Sequence, residues 1–263
     1  MTSSNKRERE LARAKYERQQ ARRAARHSNR RRNQKITAVV VVAAMVLAFG
    51  GWVVFSMLIK DDASTPVAEP SPAVVAGCTE ATPSSAAPQN FSEAPSIDLS
   101  IPTGTTITFA TNCGDIVVQT FPKLAPATVT SEVFLANEGY YDMTPCHRLT
   151  TAGIFVLQCG DPTGSGSGGP GYSVPDENLP AKDSTIYPAG TVAMANAGSG
   201  TSGSQFFIVY EDSTLGPNYT VWGKVTSGLD VVQAVAAAGA ADGSSDGTPA
   251  QTVVIQQATV SQP

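Results

Sequence analysis

The chain has 263 residues, of which 41% are apolar, 15% charged and 7% aromatic, and its formal net charge is −4; that length accommodates one or two domains. The charge is segregated: residues 1–35 carry 13 Lys and Arg against 3 Asp and Glu, while residues 36–263 carry 5 against 19. This pattern excludes a uniformly basic nucleic-acid binder for the larger part, and it excludes a single compact body of mixed surface charge.

Between Ile36 and Ile59 run 24 residues with neither a charge nor a proline. As a helix rising about 1.5 Å per residue they reach about 36 Å, enough to cross a bilayer. The run exceeds the roughly 7–15 apolar residues of a cleavable signal peptide, and its exit Met57-Leu58-Ile59-Lys60-Asp61-Asp62 lacks small residues. One uncleaved transmembrane signal anchor is therefore predicted. The basic arm precedes it and Lys60 alone follows closely, so the N-terminus is expected in the cytoplasm and the rest outside the membrane. The arm (1–35) suits contact with anionic lipid, and no nucleic-acid partner is expected. In residues 60–100, Pro, Ala, Ser and Thr occupy 24 of 41 positions, which reads as an extended tether. Val75-Ala76-Gly77-Cys78 imitates a lipoprotein processing box but has no adjoining apolar run.

Residues 101–263 form the predicted exported domain, long enough for one core. Thr105–Phe109 and Ile116–Phe121 are β-rich and flank Asn112-Cys113-Gly114, which predicts a hairpin. Pro126–Glu138 reads as a helix with Val129, Val133 and Ala136 on one face and Gly139 as its stop. Strands are predicted at 146–149, 154–158, 191–195, 205–209 and 220–225. A second helix follows from Leu229 to Ala238, then a closing strand from Val253 to Val260. Many short strands and two helices suggest an antiparallel barrel or sandwich whose open ends the helices cover. The even set Cys78, Cys113, Cys146 and Cys159 suits an oxidising compartment and allows three disulfide pairings. If Arg148 lies opposite Gln158, strand alternation puts Cys146 and Cys159 on opposite faces, so no pairing is assigned. No CxxC spacing favours zinc, and no metal or cofactor is expected.

The chain has two histidines, and His27 lies in the basic arm. A hydrolytic triad would have to use His147, which follows a strand-like run where a histidine is more often a core residue. The loop Gly164-Ser165-Gly166-Ser167-Gly168-Gly169 has no following Lys-Ser/Thr and no following helix, so it reads as a turn beside a groove instead of a phosphate loop.

Two stretches are far more specific. Cys146-His147-Arg148-Leu149 runs into Phe155-Val156-Leu157-Gln158-Cys159-Gly160-Asp161, and Met194-Ala195-Asn196-Ala197-Gly198 runs into Gly203-Ser204-Gln205-Phe206-Phe207-Ile208. They resemble the F-H-R-I-I-x-G-F-M-x-Q-G-G-D and M-A-N-A-G-x-x-x-N-G-S-Q-F-F-I stretches of the cyclophilin family of peptidyl-prolyl cis-trans isomerases, and Val221-Trp222-Gly223-Lys224-Val225 resembles the family's V-F-G-K-V. The resemblance covers about residues 101–260. It implies an eight-stranded antiparallel β-barrel capped by two α-helices, a mainly β fold preceded here by the transmembrane helix.

The resemblance also implies the roles of individual residues. Arg148 matches the catalytic arginine, and Phe155 and Phe207 match the walls of a proline pocket, with Val156 at a usual Met position and Leu215 at the rim. Gln158 and Asn196 match groups that hold the substrate backbone, while Ala195, Ala197 and Gln205 line the same groove. Tyr219 stands where many members have His. The chemistry agrees with these residue types. Rotating an X-Pro amide costs about 18–20 kcal/mol in lost resonance, and no bond breaks, so a slot for the proline ring and a donor to the prolyl nitrogen suffice. Such a donor strengthens only in the twisted state, as rate acceleration requires, and an arginine stays protonated at any exported pH.

Three departures stand out. The hairpin tip Leu149–Ile154 is two residues longer than the family's, Cys159 replaces a Gly, and Thr214 sits where cyclosporin-sensitive members have Trp. Proline-containing peptides and unfolded exported proteins are the expected partners. The other reading is a proline-peptide binding module or holdase with little turnover, for which the altered loop and Val156 argue.

Overall fold

The computed structural model describes residues 75, 77–83, 89–181 and 186–263. No helix among the described residues is long and apolar enough to cross a membrane; the predicted span at 36–59 and the basic arm lie outside them. All described residues belong to one compact unit.

Among the described residues, twelve strands and two helices follow in chain order. They are Thr106–Thr111 (β1), Gly114–Thr120 (β2), Pro126–Asn137 (α1), Thr144–Pro145 (β3), Arg148–Ala152 (β4), Ile154–Cys159 (β5), Ile186–Tyr187 (β6), Thr191–Met194 (β7), Phe206–Val209 (β8), Ser213–Thr214 (β9), Val221–Ser227 (β10), Leu229–Ala237 (α2), Asp246–Gly247 (β11) and Val254–Ser261 (β12). Ten strands make one curled antiparallel sheet in the order β11-β4-β5-β8-β7-β10-β2-β1-β12-β3, and β6 pairs with β9 separately. The expected eight strands are those of four or more residues. The two-residue strands β3 and β11 extend the sheet at its edges, so it is a ten-stranded curl and not a closed eight-stranded ladder. Between β3 and β4 lie only Cys146 and His147, whose N–H groups donate to Val253 O and Gln158 O, so the chain itself bridges the two ends of the curl.

Alternation along the strands sorts side chains onto two faces. One face holds the core, where Phe109 stacks on Phe206 at 4.9 Å and Tyr141 and Trp222 meet Phe206 edge-on at 5.9 and 6.0 Å. Leu149, Leu157 and Ile208 join this core fully buried, and Val156, Ala193, Phe207 and Val209 form a second, smaller cluster with Tyr187.

Proline opens α1 at its first turn, where a missing N–H costs nothing. The cap residue Ala125 offers no side-chain acceptor; instead the Glu177 carboxylate, fifty residues on, accepts from the N–H groups of Ala127 and Thr128 at 3.0 and 2.9 Å. A carboxylate at this end also complements the helix dipole.

Two disulfides form, Cys78–Cys113 and Cys146–Cys159. The alternation argument against the second fails because Cys146 precedes β4 and donates its N–H to Val253, outside the β4–β5 ladder. The tether assignment at 60–100 needs a similar correction in its described part. Cys78 is bridged to the β1–β2 turn, and Thr79 exchanges hydrogen bonds with Asn112 at 2.8 and 2.7 Å. The Phe91 ring lies 5.0 Å from that of Phe134, and the Asp98 N–H donates to Thr130. One aromatic anchor and one disulfide suffice to dock a stretch whose average composition looks unfolded.

Candidate active site

The ladder registers place Arg148 opposite Gln158, Gln158 opposite Phe207, Phe207 opposite Ala193 and Ala193 opposite Val221. Directly opposed residues share a face, so one row across β4, β5, β8, β7 and β10 carries a cation, an amide and an apolar floor. Two residues further along β5, Val156 faces the same way, and Ile154 follows by the same period.

These side chains enclose a pit of ≈ 180 Å³ lined by Arg148, Ile154, Val156, Gln158, Ala195, Asn196, Phe207, Leu215 and Tyr219. Its floor is aromatic: Tyr219 meets Phe207 edge-on at 5.3 Å, and Tyr187 lies 6.3 Å from Tyr219. The Tyr187 hydroxyl donates to Gly216 O at 3.0 Å, which ties the rim loop to the floor.

The Arg148 guanidinium is held from behind. Its Nε and Nη2 donate to the two carboxylate oxygens of Asp246, each at 2.7 Å, and its Nη1 reaches Gln158 Oε1 at a longer 3.3 Å. The Asp246 hydrogen bonds raise the arginine pKa, and the same contact holds the Asp246 carboxyl below its ordinary value. A bidentate fork fixes the guanidinium plane as well as its charge. Gln158 Nε2 then donates to Gln205 Oε1, and Gln205 Nε2 donates to Gly168 O, both at 2.9 Å. Because a carbonyl can only accept, this final contact sets the orientation of both amides, and an amide oxygen is presented to Arg148.

A wider groove of ≈ 800 Å³ adjoins the pit and shares Gln158, Ala195 and Asn196 with it. Ala197 and Gln205 line this groove. The Asn196 side chain is engaged with Asn218 O and the Gly198 N–H, so its main chain is the part left for a ligand. The glycine-rich loop forms the opposite wall. It wraps the Asp161 carboxylate, which accepts from Thr163, Gly166 and Gly168 N–H groups at 2.8, 2.7 and 3.0 Å. Burial pushes the Asp161 pKa up, but a 2.7 Å hydrogen bond from the Thr163 hydroxyl together with these N–H bonds outweighs it and holds the group below its ordinary value. A carboxylate at the centre of the loop repels phosphate.

Phe155 is not in the pit. It points to the other side of β5, into a groove of ≈ 710 Å³ with Tyr210, Gln233 and Ala236, its ring 6.0 Å from that of Tyr210. Ile154 takes the place expected for it, because the longer hairpin tip shifts the parity by which residues reach the pit. Alternation counted back from Gln158 through Val156 marks Ile154, and the motif match missed it. Asp246 was missed too, since 98 residues separate it from Arg148. His147 is half-buried behind Gly166, and that burial lowers its pKa. The sequence was expected to hold no GxSxG elbow, but Gly243-Ser244-Ser245-Asp246-Gly247 has those letters. It lies on a turn into β11 instead of between a strand and a helix, and the Ser245 carbonyl accepts from the Thr151 N–H.

Residues 106–260 match the family described as cyclophilin type peptidyl-prolyl cis-trans isomerase/CLD. The chain belongs to that family. Its cyclophilin domain is 46% identical over 165 residues to a probable peptidyl-prolyl cis-trans isomerase B of Mycobacterium tuberculosis, covering 59% of this chain and 54% of that protein. Against peptidyl-prolyl cis-trans isomerase B of Bacillus subtilis it is 46% identical over 116 residues, 44% of this chain and 78% of the other. The chain thus spans about half the length of the mycobacterial relative. Among solved structures, a cyclophilin type peptidyl-prolyl cis-trans isomerase of Cryptosporidium parvum superposes with a TM-score of 0.52 at 26% identity, covering 60% of this chain and 98% of that one.

Proposed function

We propose that this cyclophilin domain is a working peptidyl-prolyl cis-trans isomerase, tethered to the outer face of a membrane, that accelerates proline-limited folding of exported proteins. The observation that carries the reading is Arg148, fixed by Asp246 at the edge of an apolar pit of ≈ 180 Å³ with Nη1 directed toward Gln158. In this reading the proline ring sits on Phe207 and Tyr219 between Val156, Ile154 and Leu215. The substrate backbone runs along Asn196 and Gln158. As the amide twists, its nitrogen lone pair localises, and an Arg148 N–H donates to it in place of the long bond to Gln158. Exchanging a weak contact for one made only in the twisted state lowers the barrier without tightening ground-state binding.

The membrane tether rests on the 24 uncharged residues 36–59 and the 13 basic residues before them. Two disulfides in the domain suit an oxidising compartment outside the cytoplasm.

The 263-residue chain is expected to speed an isomer-coupled peptide assay, and Arg148→Ala to lower kcat/KM by roughly 10²–10³-fold, the scale for losing one transition-state donor. Equal rates for the two would defeat the mechanism. Recovery of the protein in the alkali-washed membrane fraction supports the tether, and release into the wash argues against it.

A further inference from the structure

One residue lining the wide groove comes from chain outside the family-matched residues 106–260. Asn90 lines the groove beside Gly171 and Tyr172. Its neighbours hold it there. The Phe91 N–H donates to Pro170 O at 2.8 Å, and the Phe91 ring packs among Phe134, Tyr140 and Tyr172 at 5.0, 6.3 and 6.4 Å. On the other side, Gln89 Nε2 donates to Glu138 O at 3.0 Å. Gly171 is the residue that lets this strap approach: its φ is 94°, and a Cβ there would collide with the Asn90 side chain and the Phe91 carbonyl. The Asn90 side chain itself is exposed and makes no hydrogen bond among the described residues, so its amide is presented to the groove.

No lysine, arginine, aspartate or glutamate lines this groove. A charged substrate side chain entering it would lose water without reaching a counter-ion, because the Asp161 carboxylate is buried behind the loop with both oxygens already hydrogen-bonded, whereas an amide or hydroxyl finds donors and acceptors on the glycine loop, Thr201 and Asn90. Because Gln158, Ala195 and Asn196 border both cavities, a peptide with its proline in the pit lays a flanking residue into the groove.

We propose that Asn90 is a specificity-determining residue: the strap completes a neutral hydrogen-bonding subsite that selects peptides with an uncharged polar side chain flanking the X-Pro bond. The inference rests on the pit being the proline site, as in the isomerase reading.

The test uses the 263-residue chain, its Asn90→Ala and Asn90→Asp variants, and a panel of Ala-Pro peptides carrying Gln, Leu, Lys or Glu at each flanking position. Dissociation constants come from fluorescence anisotropy and kcat/KM from the isomer assay. The wild type is expected to favour Gln. Asn90→Ala should lose about three- to tenfold of that preference, the worth of one hydrogen bond, and Asn90→Asp should move it toward Lys. Identical rankings in all three proteins, at unchanged melting temperature, would overturn the proposal and leave the strap a brace only. Binding is read apart from turnover, so peptides ranked as expected but not isomerised would uphold Asn90 while defeating the isomerase reading.

Discussion

Arg148 is the sole arginine among residues 36–263, and its ion pair with Asp246 is partly open to water, the two side chains being 39% and 54% exposed. An exposed pair of this kind stabilises a fold by about 0–1 kcal/mol, so its value lies in aim and not in stability. Asp246→Ala should therefore leave the melting temperature nearly unchanged and lower kcat by roughly tenfold to a hundredfold, the range for misplacing a catalytic group. KM should hold, because the apolar pit is intact; a fall in stability with kcat preserved would contradict the positioning role. Ile154 and Phe155 make an opposed pair. Ile154→Ala removes pit wall and should raise KM about tenfold. Phe155→Ala should leave KM within twofold and cost stability through its lost packing on Tyr210. Steady-state kinetics on the two variants distinguishes them, and the reverse pattern would restore Phe155 to the pit. The resemblance to the family's motifs could mark Arg148, Gln158 and Phe207, but which of two adjacent residues enters the pit depends on strand parity across a hairpin of unusual length.

At the scale of elements, α1 is buried on nearly every side instead of on the single face of Val129, Val133 and Ala136 that the sequence suggests, and it takes polar residues into the core. Glu132 is fully buried and accepts a 2.7 Å hydrogen bond from the Tyr141 hydroxyl on one oxygen, while the other has no partner among the described residues. Burial raises its pKa from 4.5 to about 8, with the Tyr141 bond opposing that rise. The folded state thus keeps a proton that the unfolded chain releases above about pH 4.5. Stability from this group is full below that value, falls as pH rises, and is gone above about pH 8. Urea midpoints of the wild type should drop across that window, and those of Glu132→Gln should drop less; parallel slopes would show that Glu132 does not govern it. The helix limits were legible from Pro126 at the start of α1 and from Gly139 and Gly239, which follow the two helices, and the eight longer strands from their β-rich, alternating runs. β3, β6, β9 and β11 have two residues each, too few to show any period. The cysteine pairing was illegible for a related reason, since it turns on the two residues where the chain leaves one strand and has not yet joined the next.

Over the whole molecule, the segregated charge separates a basic arm and an apolar run from an acidic C-terminal part, and the described residues fill in that part alone. Its packed body begins earlier than composition suggested, because Cys78 and Phe91 dock residues that otherwise read as linker. A loop closed by about 35 residues constrains the unfolded chain and holds the strap against the groove. The pit, the clamped arginine and the neutral groove form one continuous surface on the outer face of the curled sheet, with the catalytic row crossing five neighbouring strands. The central claim is that an X-Pro bond rotates on this surface because Arg148 meets its nitrogen. Exchange NMR on an Ala-Pro peptide at cis/trans equilibrium, with substoichiometric 263-residue chain, reads that rotation directly. The account predicts rapid exchange between the two isomer signals with wild type, and loss of that exchange with Arg148→Ala although the peptide still binds. Binding by wild type without exchange, or exchange of equal speed with Arg148→Ala, would contradict it.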